Sequence, residues 1–362
     1  MMEKNGSYRF LVINPGSTST KLGVFEDDAM VLEDVVRHSK GEIDKYDSIV
    51  AQKEMRLKLI EKILADNHID MQSFDAFVGR GGLVEPIESG VYIVNDHMQH
   101  DLIHSTAASH ASSLGGIIAS ELGSKFHKPA YVVDPIVVDE MDPYAKLTGM
   151  PGIERRSVFH ALNQKAVARR CAKEMGKKYE DCRFIVAHMG GGITVGAHRY
   201  GRVIDVNDGL AGEGPFTPER TGGIPAEPLI RMCFSGAYTE RELIDRVTRR
   251  GGMSAYLGTH DLRACERLIK EGDDYAMLVL ESMAYQVSKE IGAMVAVLEG
   301  RVDAIVLTGG LAYSNRFTGA IKNRVSLIAP VCVYPGEDEL KALAEGALRV
   351  LRGEEKAKDY DG

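Results

Sequence analysis

The chain of 362 residues has 44% apolar and 27% charged residues, the make-up of a globular protein too long for one ordinary core, so two domains are expected. A formal net charge of −8 argues against a nucleic-acid or anionic-membrane partner while leaving room for a local basic site for a small anion. No run reaches the roughly 18–20 apolar residues that cross a bilayer. The five cysteines (Cys171, Cys182, Cys233, Cys265 and Cys332) form no CxxC pair, and residues 1–7 carry no apolar leader core. Reduced thiols and a cytoplasmic setting are expected.

Residues 8–13, 22–26 and 30–37 read as three successive strands, the last two joined by the turn Asp27-Asp28. Residues 48–68 carry helical periodicity through Met55, Leu57, Leu59, Ile60, Ile63 and Leu64. A short buried strand at 76–79 runs into Arg80-Gly81-Gly82. A largely helical stretch, 97–122, precedes a strand at 130–133 that closes on Asp134-Pro135. After a loop-rich stretch at 142–152 the pattern restarts. Helix 157–175 is followed by strands at 184–187, 193–198 and 202–205, then helix 275–298, strand 304–307 and the turn Thr308-Gly309-Gly310. A terminal helix is expected at 337–352, and 353–362 reads as a charged tail with too little apolar content to pack. Tight hairpins require antiparallel pairs and helical crossovers require parallel ones, so the class is α/β with mixed sheets. The boundary is expected near Met150. Residues 1–150 with about 340–362 form the first domain, and 151–339 the second.

Two glycine-rich tips open the two halves. The first is Asn14-Pro15-Gly16-Ser17-Thr18-Ser19-Thr20-Lys21 and the second is His188-Met189-Gly190-Gly191-Gly192-Ile193-Thr194, each between strand-like runs. Backbone N–H groups and hydroxyls at such tips suit phosphate oxygens. Asn, Gly and Ser are also ordinary turn formers, but a hairpin needs one or two of them, not five followed by a lysine. Arg80 and Arg220 lie in tight glycine- or proline-flanked loops, where a guanidinium can hold carboxylate or phosphoryl oxygens. Arg155 and Arg156 abut a helix start, and site residues and structural ion pairs are equally compatible with that position. Asp134 sits where α/β sheets place ligands, the alternative being a helix cap. His97, His100 and His104 share a helical face, but no cysteine or carboxylate completes a metal site there, and a solvated face is expected.

Both tips resemble the signature segments of the acetate and butyrate kinase family, whose superfamily also holds sugar kinases, heat-shock chaperone ATPases and actin. Arg155-Arg156-x-x-Phe159-His160 resembles the family's Arg-Arg-Tyr-Gly-Phe-His segment. Pro218-Glu219-Arg220-Thr221-Gly222 resembles its Arg-Ser-Gly segment, and His260-Asp261-Leu262-Arg263 its adenine-side Asp-Phe-Arg segment. Thr308-Gly309-Gly310 and Pro335-x-x-Asp338-Glu339-Leu340 match two more. Three departures resemble the butyrate kinase branch. Gly191-Gly192 stands where acetate kinases carry Asn-Gly, the stretch between Pro218 and Arg220 is shorter, and Phe77-Val78-Gly79-Arg80-Gly81-Gly82 replaces Arg-Val-Val-His-Gly-Gly.

The resemblance implies two duplicated actin-like (ribonuclease H-like) domains, helices flanking mixed sheets, with the active site in the cleft between them. It implies ATP-dependent phosphorylation of a short-chain carboxylate, butyrate plus ATP giving butyryl phosphate and ADP by in-line transfer, in a homodimer or larger homo-oligomer. Arg80, Asp134, His160 and Arg220 take the catalytic roles. Asn14, Ser17, Ser19, Lys21, Gly79 and His110 face substrate or phosphoryl group. His188, Gly190, Gly191, Gly192, Thr194, Asp261, Leu262, Arg263, Gly309, Gly310 and Ser314 bind ATP, and Asn14 and Asp338 hold Mg²⁺. Gly79 takes the place of an acyl-pocket valine. Each buried methylene is worth roughly 0.8 kcal/mol, so the freed space favours butyrate. The alternative is that this glycine serves only its turn. An isobutyrate or acetate kinase, a sugar kinase and a nucleotide-switched chaperone-like ATPase are the remaining readings.

Overall fold

Two sheets on one plan carry the chain in the computed structural model, which describes residues 6–104 and 111–361. The chain divides into one unit of Met1–Val138 with Asp338–Gly362 and a second of Asp139–Glu337. In the first, β1 (Arg9–Pro15), β2 (Ser19–Glu26) and β3 (Ala29–Arg37) form an antiparallel meander. With β4 (Ala76–Gly79), β5 (Val91–Ile93) and β6 (Ala130–Val133) the order is β3-β2-β1-β4-β6-β5, and β1, β4 and β6 run parallel. In the second, β7 (Arg183–Met189), β8 (Ile193–Arg199) and β9 (Arg202–Val206) repeat the meander. There, β10 (Ala304–Gly309) and β11 (Val331–Pro335) extend it in parallel, in the order β11-β10-β7-β8-β9. Replacing β7–β11 by β1, β2, β3, β4 and β6 gives the same neighbours and directions, which is the expected duplication.

The central strands are near-continuous apolar runs because helices cover them. In the first unit the helices Ser113–Phe126 and Glu339–Leu351 pack on β1, β4 and β6, and Leu11, Ile13, Phe77 and Val132 lie in the core. In the second, the 24-residue helix Asp274–Val297 crosses β7 and β8, and Ala161–Glu174 covers β7 and β10. Among the described residues no helix is long and apolar enough to cross a membrane.

Three expectations change. The units divide at Val138/Asp139, earlier than Met150, because the segment after it is bonded into the second sheet. Asp142 N donates to Ile204 O at 2.9 Å, and buried Lys165 pairs with Glu140 at 2.7 Å. The 97–122 stretch is largely helical as expected, over Asp96–His104 and Ser113–Phe126 among the described residues. The helices at 226–233, 240–248, 262–270 and 315–325 and strands β5 and β11 were not anticipated, being short or without clean periodicity.

The third correction is the tail, which does pack. Lys358 N donates to Val91 O at 2.8 Å and Ile93 N to Lys358 O at 2.9 Å, extending the edge of β5. Tyr360 is 1% exposed within the first core. Its hydroxyl bonds Asp101, and its ring meets His97 edge-on at 5.5 Å. Average composition misses this because one aromatic suffices to anchor a short segment whose backbone is already paired. Tyr360→Ala therefore lowers the unfolding free energy by about 3 kcal/mol, the scale of a buried aromatic truncation. The test is a urea transition, where an unmoved midpoint would remove the tail from the core.

Candidate active site

In the first unit the candidate residues gather at the carboxyl edge of parallel strands, where α/β sheets hold ligands. Ile13 of β1 is in register with Gly79 of β4, and Gly79 with Val132 of β6. Asn14, Arg80 and Asp134 are thus each one or two residues past that line on neighbouring strands. Lys21 lies directly across the ladder from Asn14, so the two share a face. The tip between them is closed by Gly16 N donating to Ser19 O at 2.8 Å. Fully buried Arg56 donates to Ser19 O at 2.8 Å and Thr20 Oγ1 at 3.0 Å. The role of Arg56 in setting the tip is invisible in its helical neighbourhood in sequence.

Glu339 organises this edge. Its carboxylate accepts from Asn14 Nδ2 at 2.6 Å and pairs with Arg80 Nη2 at 3.1 Å. Arg80 Nη1 is buried and has no hydrogen-bond partner, a costly state for a guanidinium nitrogen unless an anion is meant to meet it. Asp338 does not join the cluster: its carboxylate caps the terminal helix, accepting from Lys341 N at 3.2 Å. The acid brought to Asn14 is the next residue, a choice that the Asp338-Glu339 pair left open. Asp134 is 1% exposed with φ +38°, and its Oδ1 accepts from Ser89 Oγ at 2.6 Å and Gly90 N at 2.9 Å. That strained backbone is held by the loop its carboxylate ties down.

In the second unit His188, on β7, lies across the ladder from Thr194 on β8. The ring of His160 stacks on that of His188, centroids 3.7 Å apart and 9° from parallel. His160 Nδ1 is 3.0 Å from Thr194 Oγ1 and His188 Nδ1 is 2.9 Å from Asn163 Oδ1. His188 Nε2 lies 3.0 Å from Glu337 Oε1 but is not aligned for a hydrogen bond. The glycine tip closes through Gly190 N to Gly192 O at 2.9 Å, and Thr217 Oγ1 donates to Gly191 O at 2.6 Å. A Cβ on Gly192 would sit 2.0 Å from Arg220 Nη1, so the tip and this arginine approach as closely as only glycine permits. Arg220 donates to the carbonyls of Gly209 and Thr248. Burial lowers its pKa against the opposing pull of Glu219 and Asp208.

A cavity of about 670 Å³ in the same unit is lined by His260, Asp261, Leu262, Arg263, Glu266, Gly310, Leu311, Tyr313 and Ser314. The sequence-predicted adenine-side residues thus meet around one nucleoside-sized space. Asp261 caps its helix through Arg263 N at 2.9 Å and pairs with the Arg263 guanidinium, which lowers its pKa. Ser314 caps the next helix and bonds Glu266. Gly309, at φ +88°, closes β10 where a Cβ would meet Met189 O at 2.4 Å.

Several expected roles move. Thr194 is fully buried, and its hydroxyl serves His160 and Gln164 rather than lying open to a nucleotide. Arg155 is engaged by Asp205, Glu213 and two carbonyls, and Arg156 by Asp208, so both arginines are held in structural ion pairs. A Cβ on Gly79 would lie 2.1 Å from Gly115 O and 2.5 Å from Gly116 N. Its missing side chain points into the Ser113–Phe126 helix and not into an acyl pocket. His110 lies outside the described residues. Among the described residues no group of three or more His, Cys, Asp or Glu side chains is placed to hold a metal.

Against known proteins, the model of the Acetokinase family matches residues 143–318, which lie within the second unit. The crystal structure of Porphyromonas gingivalis acetate kinase superposes with a TM-score of 0.80 at 19% identity, covering 95% of this chain and 100% of that one. A propionate kinase from Francisella tularensis gives 0.74 at 18% identity over 94% and 99% of the two chains. Acetate kinase from Entamoeba histolytica gives 0.74 at 19% over 93% and 98%. Residues 143–318 are thus similar to the Acetokinase family, and the chain has the two-sheet α/β fold of these kinases.

Gly79→Val is expected to displace the Ser113–Phe126 helix and to lower the thermal midpoint, because its side chain meets the backbone of Gly115 and Gly116. A stable variant with a shifted acid preference would return Gly79 to the acyl pocket.

Proposed function

We propose that the protein transfers the terminal phosphoryl group of ATP to a short-chain carboxylate, with butyrate the preferred acid. The observation that carries this reading is Arg80: a buried guanidinium with one arm on Glu339 and the other, Nη1, without a partner. Such an arm suits an anionic oxygen, and a planar guanidinium can serve both carboxylate and phosphoryl oxygens.

In the reaction a carboxylate oxygen attacks the γ-phosphorus, the bond to the ADP oxygen breaks, and acyl phosphate and ADP leave. A carboxylate is already the nucleophile, so no base has to remove a proton. The protein's work is alignment and charge neutralisation. Arg80 and Lys21 offset charge on the acid side, and Arg220 and His160 donate to the phosphoryl oxygens. The cavity at 260–266 and 310–314 takes the nucleoside. Mg²⁺ fits the oxygen donors of Asn14 and Glu339, a set that leaves room for the waters this ion retains. When bound it supplies charge to the phosphates. Preference for butyrate is supported by Gly191-Gly192, the short stretch before Arg220 and the Phe77–Gly82 segment, not by Gly79.

A coupled ADP-release assay over acetate, butyrate, isobutyrate and glucose tests the reading, with butyrate expected to give the highest kcat/KM. Turnover of glucose alone would contradict it. Arg80→Ala should cost on the order of 10²–10³ in kcat/KM while the protein stays folded; an unchanged value would remove Arg80 from the reaction.

A further inference from the structure

The geometry points to Gln164, Thr194 and His198 as positioning residues that fix the single proton of neutral His160 on Nε2 through a buried hydrogen-bond chain of one polarity. The consequence for turnover rests on the phosphoryl-transfer reading above. The polarity rests on hydrogen bonding alone.

The chain is anchored by a backbone carbonyl, which can only accept. Gln164 contacts Thr194 O at 3.0 Å, so the side-chain atom facing it is the amide nitrogen, and that same nitrogen is 2.9 Å from Thr194 Oγ1. The amide oxygen therefore faces His198 Nε2, 3.0 Å away, and His198 Nε2 carries the hydrogen. His198 is fully buried, and burial, reinforced by Lys165 and Arg169, pushes its pKa well below the ordinary imidazole value. Its neutral ring thus leaves Nδ1 bare, to accept from the Tyr179 hydroxyl at 2.7 Å. On the other side Thr194 Oγ1 accepts from Gln164, and among the described residues its own hydrogen has one remaining acceptor in reach, His160 Nδ1 at 3.0 Å. Thr194 is wholly inaccessible to solvent, and orphaning that hydroxyl hydrogen would carry a full desolvation cost. His160 Nδ1 therefore accepts, and its proton resides on Nε2. The imidazole is set to donate from Nε2, the polarity that phosphoryl oxygens require.

Gln164→Glu tests the polarity with almost no change of shape. A carboxylate at 164 gives up the bond to Thr194 O but accepts from both His198 Nε2 and the Thr194 hydroxyl, so Thr194 Oγ1 becomes the acceptor for His160 and the proton moves to Nδ1. Nitrogen-15 NMR of the His160 ring in the wild-type protein, under mildly alkaline conditions, is expected to show a protonated Nε2 and a bare Nδ1. Gln164→Glu is expected to invert that pattern and to lower kcat on the order of 10²-fold with both KM values nearly unchanged. Thr194→Val is expected to lose the fixed tautomer, and Thr194→Ser to keep it along with most of kcat. Wild-type His160 protonated on Nδ1 overturns the proposal, and that spectrum needs no variant to fold. An inverted tautomer with undiminished kcat overturns the positioning role. A wild-type protein that phosphorylates no carboxylate sinks the proposed function and leaves the spectrum to be judged separately.

Discussion

A carboxylate held between an amide and a half-satisfied guanidinium sets the character of the first unit's face. Glu339 comes from the terminal helix, Asn14 from the end of β1, and Arg80 from the end of β4. Their contacts at 2.6 and 3.1 Å tie the last helix to the carboxyl edge of the first sheet. Removing Glu339 would leave Arg80 as a buried unpaired charge, so the cluster is structural and chemical at once. The helix cap explains the division of labour between the two adjacent acids. Asp338 is engaged by the backbone N–H of Lys341 in the first turn, which leaves Glu339 to face the sheet.

The same constraint shapes both units. In an actin-like sheet the first hairpin supplies a tip, and the parallel strands beside it supply the residues just past their ends. The pair Asn14 and Lys21 in one unit corresponds in ladder position to His188 and Thr194 in the other. Close approach then explains why glycine recurs. Gly79 admits a helix backbone and Gly192 admits a guanidinium. Only the second of these contacts involves a charged side chain, so glycine content alone does not separate packing from chemistry.

The duplicated strand pattern was legible in the sequence because both meanders are apolar runs punctuated by turn residues, and β4 and β6 match residues 76–79 and 130–133 to the residue. The residues that line the cavity of the second unit, Asp261–Arg263, Gly310 and Ser314, were legible as motifs. What escaped depends on three-dimensional context. The spacing around Gly79 suits an acyl pocket, whereas its Cβ direction is set by the pleat and faces a helix. Tyr360 looked like part of a polar tail because averaging conceals one anchoring ring. Gln164 and His198 read as ordinary positions in a helix and a strand. Their significance arises only when Thr194 O forces the orientation of an amide, which no spacing rule encodes.

The central claim is that a carboxylate oxygen becomes bonded to the phosphoryl group. Trapping with hydroxylamine reads that bond directly, because an acyl phosphate is converted to a hydroxamate while other phosphorylated products are not. Incubation of the protein with ATP, Mg²⁺, butyrate and hydroxylamine is expected to yield butyryl hydroxamate in step with ADP. Formation of ADP with no hydroxamate, or with free phosphate in its place, would contradict the account.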